Sequence, residues 1–226
     1  MFMKLNNNIS FNFDSKKVLV VGGSRGIGKE VCNQFINAGA KVYCASRTLC
    51  NLDNVVNIKC DISKSADIEK LFNEVKEIDY CINVAGTNLC EPIDSIDEKE
   101  WDRVLTINLK SFYQISKKAI EIMKKSNGGR IVNVSSIAGR SKSLVSGVHY
   151  TSSKYGVIGL TKQLSKEVSK YNILVNCLCP SQTMTEMLET SMTNEQLRNL
   201  ENSIPIGRIA SPEEQALPIL FLCSDA

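Results

Sequence analysis

The chain has one histidine, His149, and no Cys-x-x-Cys pair among its nine cysteines. Zinc sites are commonly built from such pairs and from spaced histidines, so no metal site is expected. No apolar run approaches the ~20 residues of a membrane-spanning helix, and no membrane partner is expected. The first residues, Met1 to Lys17, lack a long apolar segment followed by small residues, which excludes a secretory signal. A strong charge of either sign is also missing. The net charge is +3 and the lysines are scattered, which argues against a nucleic-acid partner. Cys44, Cys60, Cys81, Cys177 and Cys179 lie in apolar, strand-like runs and read as inert core residues. Together these features point to a reduced, cytoplasmic compartment.

Hydrophobic residues make up 43% of the 226, enough for one large domain with a substantial core. Residues 1–15 are polar and rich in asparagine, and are expected to form a flexible leader before a domain spanning 16–226. Lys17 to Val21 is an apolar run that stops at Gly22-Gly23. A helical pattern follows through Val31, Phe35 and Ile36 to Gly39, then a second strand over Lys41 to Ser46. Further strands are expected over Val55–Cys60, Ile78–Val84, Arg130–Val134 and Ile173–Cys179. Helices are expected over 65–76, 97–125 with a break near Lys110, and 149–171. Residues 181–204 read as a helical or mobile insert, and Ser211-Pro212-Glu213-Glu214 opens a last helix. Strands this apolar, alternating with helices, predict an α/β fold: a doubly wound parallel sheet in three layers, of the Rossmann type.

Gly22-Gly23-Ser24-Arg25-Gly26-Ile27-Gly28 joins the first strand to the first helix. Small residues there let the backbone turn sharply and approach a pyrophosphate, and the helix N-terminus favours the negative charge. This predicts a dinucleotide cofactor. Its spacing, Gly-x-x-x-Gly-x-Gly, resembles the short-chain dehydrogenase/reductase family. An acid ending the second strand would hold a ribose 2′-hydroxyl and repel a 2′-phosphate. Ser46 stands there instead, followed by Arg47, with Arg25 in the glycine loop, so NADP(H) is expected to be preferred over NAD(H).

The resemblance extends along the chain. Asp61-Ile62 matches the pair that holds the adenine, and Asn83-Val84-Ala85-Gly86 resembles the segment after the fourth strand, implying cofactor roles for Asn83, Ala85 and Gly86. Tyr150 and Lys154 lie four apart at a helix start, where their side chains share one face. They match the family's catalytic pair. Strand alternation lets only one of Ser135 and Ser136 face the site, and the resemblance selects Ser136. Asn108 matches the fourth catalytic member. Pro180, Thr183 and Thr185 match residues near the nicotinamide and phosphates, although Ser181 and Thr183 depart from the usual Gly and aliphatic residue.

The implied chemistry is hydride transfer between NADPH and a carbonyl carbon, with Tyr150 giving the proton, Lys154 lowering the tyrosine pKa and Ser136 orienting the carbonyl. Segments such as Pro205-Ile206-Gly207-Arg208 look most like the 3-oxoacyl-carrier-protein reductase group, which implies a small carbonyl or carrier-bound acyl substrate and a homodimer or homotetramer. The resemblance also implies a seventh strand beyond Ala226. Two other readings stand beside this one. The polar Ser181-Gln182-Thr183 run suits a sugar or sugar-nucleotide substrate. A non-catalytic dinucleotide sensor would need the glycine loop but not the Tyr150/Lys154 pair.

Overall fold

A computed structural model describes residues 10–143 and 145–225. Six parallel strands form one sheet: β1 (Lys17–Val21), β2 (Lys41–Ser46), β3 (Val55–Lys59), β4 (Tyr80–Asn83), β5 (Gly129–Val134) and β6 (Ile173–Leu178). Their order is β3-β2-β1-β4-β5-β6. The order reverses between β1 and β4, and a parallel sheet opens its ligand crevice at such a point, at the C-terminal ends of the strands.

Alternation along β1 assigns the two cores. Val18 and Val20 face α1 (Gly26–Asn37) and α8 (Pro212–Cys223), packing with Val31, Phe35, Ile219 and Leu220. Leu19 and Val21 face the other way, in a core with α2 (Ser65–Glu74) and α4 (Ser111–Met123), including Leu71, Ile115 and Met123. Both faces of the central strands are covered, which is why β1 and β4 are buried almost throughout, while edge strand β3 is largely exposed.

Local chemistry sets the element ends. Gly39, at φ 88°, ends the α1 turn in the left-handed region. Ser211 and Glu214 form a reciprocal capping box at α8. The expected long helix over 97–125 is two helices, α3 (Glu98–Leu105) and α4, joined by one π-helical turn over Thr106–Lys110. Such turns commonly mark functional sites, and this one carries the buried Asn108. The insert contains α6 (Glu186–Ser191) and α7 (Asn194–Ser203). Helix α5 (Val148–Val168) follows β5.

Residues 1–9 of the expected leader lie outside the described residues. From residue 10 the expectation is corrected. Phe13 is buried, its amide donates to the Ala38 carbonyl, and its ring lies 4.9 Å from Phe35. An aromatic ring in a sequence rich in asparagine is enough to anchor that segment. Cys177 and Cys179 are only half-buried, contrary to the core reading, because they stand at and just past the end of β6 near the crevice.

Candidate active site

The C-terminal ends of β1, β2, β4, β5 and β6 converge on a cavity of about 590 Å³. That size lies within the range of small-molecule sites.

One wall is the glycine loop. Gly22 has φ 92°, and a Cβ there would lie 2.6 Å from the Ala85 backbone. A Cβ on Gly28 would lie 2.1 Å from the Gly22 carbonyl oxygen. Only glycine allows these approaches. Helix α1 begins at this wall with Arg25 at its N-cap. No side chain caps it and its first turn holds no acid. Uncapped N–H groups carry partial positive charge, so this wall suits an anionic group. Ser24, Arg25, Gly26 and Ile27 line it, and across β2 so does Arg47. Arg25 and Arg47 are exposed, and neither joins an ion pair among the described residues. Asp61 and Ile62 line the same end. Bonds from Ser63 hold the Asp61 carboxylate below its usual range. Uncapped helix, glycine cradle and cationic rim fit a dinucleotide, with Ala85 and Gly86 on the β4 side and Pro180, Thr183 and Thr185 after β6.

The facing wall presents side chains. Helix α5 has Gly147 at its N-cap, which places Tyr150 and Lys154 one turn apart on the cavity side. Lys154 is 3% exposed; its Nζ donates to the Val134 carbonyl at 3.0 Å and lies 5.5 Å from the Tyr150 ring centre. Burial lowers its pKa to about 8. Burial raises the Tyr150 pKa, and a hydrogen bond with Ser136 opposes that rise. In this geometry desolvation sets the direction of the tyrosine shift, and Ser136 is the group that lowers it. Both serines reach the cavity, a correction to the expectation that only one would, because both lie past the end of β5 at Val134, where strand alternation stops. The Ser135 hydroxyl is committed to the Lys154 carbonyl at 2.8 Å, while Ser136 accepts from the Ala138 amide at 3.1 Å.

Two candidates sit behind these walls. Asn108 is fully buried; its side chain accepts from the Thr87 amide at 2.9 Å and donates to the Thr87 carbonyl at 2.9 Å and to Ser153 at 3.2 Å. It ties the π turn to the loop after β4. Asn83 does not reach the cavity, a correction to its expected cofactor contact. The side chain turns into the sheet, donating to Asn133 at 2.8 Å, and Asn133 donates to Thr161 at 3.0 Å. The Asn83 Nδ2 also donates to Ser116 at 3.3 Å, so the amide nitrogen is engaged inside the fold.

Several other residues line the cavity. Arg103 lies at the rim, paired bidentately with Glu100 and 3.4 Å from the Thr87 hydroxyl. Asn88, Ser143, Ser146 and Gln182 belong to loops whose shape only the fold reveals. His149 faces away from the cavity, buried, with its Nε2 3.9 Å from Glu100.

This arrangement, a parallel-sheet crevice with a phosphate-suited turn opposite a Tyr/Lys pair whose lysine is buried, is that of a dinucleotide-dependent oxidoreductase. The short chain dehydrogenase family model matches residues 16–196. The chain is 36% identical over 230 residues to the 3-oxoacyl-acyl-carrier-protein reductase of Chlamydia trachomatis, covering 93% of this chain and 91% of that one. Its fold is similar to the 3-oxoacyl-acyl-carrier-protein reductase from Brucella melitensis (TM-score 0.88, 27% identity, 94% and 85% of the two chains). The aldohexose dehydrogenase of Thermoplasma acidophilum is also similar (TM-score 0.85, 29% identity, 93% and 88%).

The chain belongs to the short-chain dehydrogenase/reductase family. It is an NAD(P)H-dependent oxidoreductase, similar to 3-oxoacyl-carrier-protein reductases. Among the described residues, no helix is long and apolar enough to cross a membrane.

Proposed function

We propose that this enzyme interconverts a ketone and a secondary alcohol with NADP(H), and that its substrate is a 3-oxoacyl thioester. The observation that carries the reading is the pair formed by half-buried Tyr150 and buried Lys154 beside Ser136, across one cavity from the glycine loop. The bound nicotinamide supplies or accepts the hydride. Gly22, Gly26, Gly28 and the α1 N-terminus would hold the pyrophosphate, and Asp61 and Ile62 the adenine. Arg25 in the glycine loop and Arg47 just after β2, a strand that ends without an acid, join no ion pair among the described residues and would hold a 2′-phosphate.

In the reducing direction Ser136 orients the substrate carbonyl and Tyr150 gives its phenolic proton to the carbonyl oxygen. Burial keeps the phenol protonated until that oxygen gains charge. Lys154 is fixed by Val134 and moves protons to the tyrosine. Asn108 holds the Thr87 backbone and Ser153 in place behind it. General acid catalysis of this kind is worth ~10²–10⁴-fold. The half-exposed rings of Tyr113 and Tyr155 on α4 and α5 support assembly as a homodimer or homotetramer. Free buried thiols support a reducing, cytoplasmic setting for the domain from residue 16 onward.

A polar keto-sugar is the second reading, favoured by Ser143, Ser146 and Gln182 on the cavity wall. The test is NADPH and NADH consumption with acetoacetyl thioester and with a keto-sugar series. Turnover of the thioester, faster with NADPH, is expected. Tight NADPH binding with turnover of keto-sugars alone would overturn the acyl assignment, and faster turnover with NADH would overturn the cofactor assignment.

A further inference from the structure

Behind the glycine loop three thiols come together from three parts of the chain: Cys32 on α1, Cys44 on β2 and Cys50 in the loop that follows. Their sulfur atoms all lie within 4.8 Å of one another. All three are free of disulfides and buried, at 0%, 0% and 3% exposure. We propose that Cys32, Cys44 and Cys50 form a binding site for one soft, thiophilic metal ion.

The geometry asks for little movement. A metal–thiolate bond of ~2.3 Å sets the sulfurs of one shell ~4 Å apart, so closure around an ion draws them in by less than an ångström. The donor set is sulfur alone, which selects Cu(I) or Zn(II) and discriminates against Mg(II) and Ca(II). Oxygen donors stand at its edge: the Gly23 carbonyl is 3.8 Å from Cys32 Sγ, and the Ser46 hydroxyl is 3.7 Å from Cys44 Sγ. Cu(I) needs only the three sulfurs, whereas Zn(II) takes one of these oxygens as a fourth ligand. Cysteine also serves as a plain small apolar residue, and this cluster does lie in the α1 and α8 core. Packing alone requires volume but no sulfur donor, so metal affinity separates the two roles.

The site also touches the cofactor wall. A Cβ on Gly23 would lie 2.6 Å from Cys32 Sγ and 2.8 Å from Cys44 Sγ, so the loop backbone rests directly on the sulfurs. An ion that repositions them alters the support of that loop, and any coupling must act equally in both directions. This coupling rests on the cofactor reading of the loop; the metal site does not.

The test uses the full chain, reduced and anaerobic, titrated with Cu(I) and with Zn(II) against a competing chromophoric chelator. One equivalent of at least one ion is expected to be retained. X-ray absorption of the loaded wild-type protein is expected to show three sulfur neighbours, a readout that needs no variant to fold. Cys32→Ser, Cys44→Ser and Cys50→Ser are each expected to weaken affinity more than the ~100-fold that an outer-shell change can cause. Cys90→Ser, at an exposed thiol, is expected to leave it unchanged. Failure to retain either ion, a shell without sulfur, or full retention by the three variants would overturn the site. NADPH affinity that is equal with and without metal would overturn the coupling alone. Absence of NADPH binding in both forms would instead count against the cofactor reading.

Discussion

On the β1–α1 side of the cleft the chain offers backbone; on the β5–α5 side it offers side chains. The first wall works through what its residues lack. Missing Cβ atoms at Gly22 and Gly28 let the chain fold tightly on itself, and a missing cap leaves the α1 N–H groups available. The second wall works through what is buried. Lys154 is buried and Tyr150 half-buried, and desolvation lowers the pKa of the lysine and raises that of the tyrosine. The difference teaches where each wall is fragile. A backbone wall fails when atoms are added, and a side-chain wall fails when particular atoms are removed.

The sharpest break of that contrast is an added methyl. Gly28→Ala forces a Cβ against the Gly22 carbonyl, which is backbone and cannot swing aside. A stability loss of about 3 kcal/mol and loss of measurable NADPH binding are expected, from denaturant melts and fluorescence titration. Binding at the wild-type level would remove the backbone account of this wall.

The opposite wall answers to pH. Lys154 titrates near 8 in the folded chain against an ordinary 10.5. Between those values the unfolded chain binds more protons than the folded one, so this group's contribution to stability rises with pH across that window. Below pH 8 the buried ammonium costs on the order of 3 kcal/mol. Lys154→Met is therefore expected to be stabilised relative to wild type at pH 7, with the gain shrinking toward pH 10. A difference that stays flat with pH would contradict a buried, shifted lysine.

A smaller effect sharpens the nucleotide side. Charge-assisted bonds of about 1.5–3 kcal/mol make Arg47→Glu lower the preference for NADPH over NADH by roughly 10–100-fold in kcat/KM ratios. An unchanged ratio would move the 2′-phosphate contact elsewhere. The smallest effect is a control. Gly159 lies inside α5, and a Cβ there meets nothing within 4 Å. Gly159→Ala is expected to stabilise by ~0.5–1 kcal/mol, showing that the Gly28 penalty comes from contact and not from the substitution itself.

These two walls also differ in how well the sequence discloses them. The glycine wall is contiguous, residues 22–28 between a strand and a helix, so spacing and periodicity expose it. Tyr150 and Lys154 are legible because one helical turn joins them. Asn83 was misplaced because a strand-end amide reads the same whether it faces the cleft or, as here, Asn133 in the next strand. The π turn is a hydrogen-bond shift within one helical pattern, so periodicity shows only a break near Lys110. The thiol triad is spaced by twelve and six residues and assembled by three elements. No local pattern encodes it, and the absence of a Cys-x-x-Cys pair pointed away from it.

The most direct measurement compares wild type and Tyr150→Phe in NADPH binding and in acetoacetyl thioester reduction, side by side. The expected result is equal NADPH affinity with turnover reduced by ~10²–10⁴-fold. A phenylalanine variant that binds NADPH and turns over at the wild-type rate would contradict the assignment of Tyr150 as the proton donor.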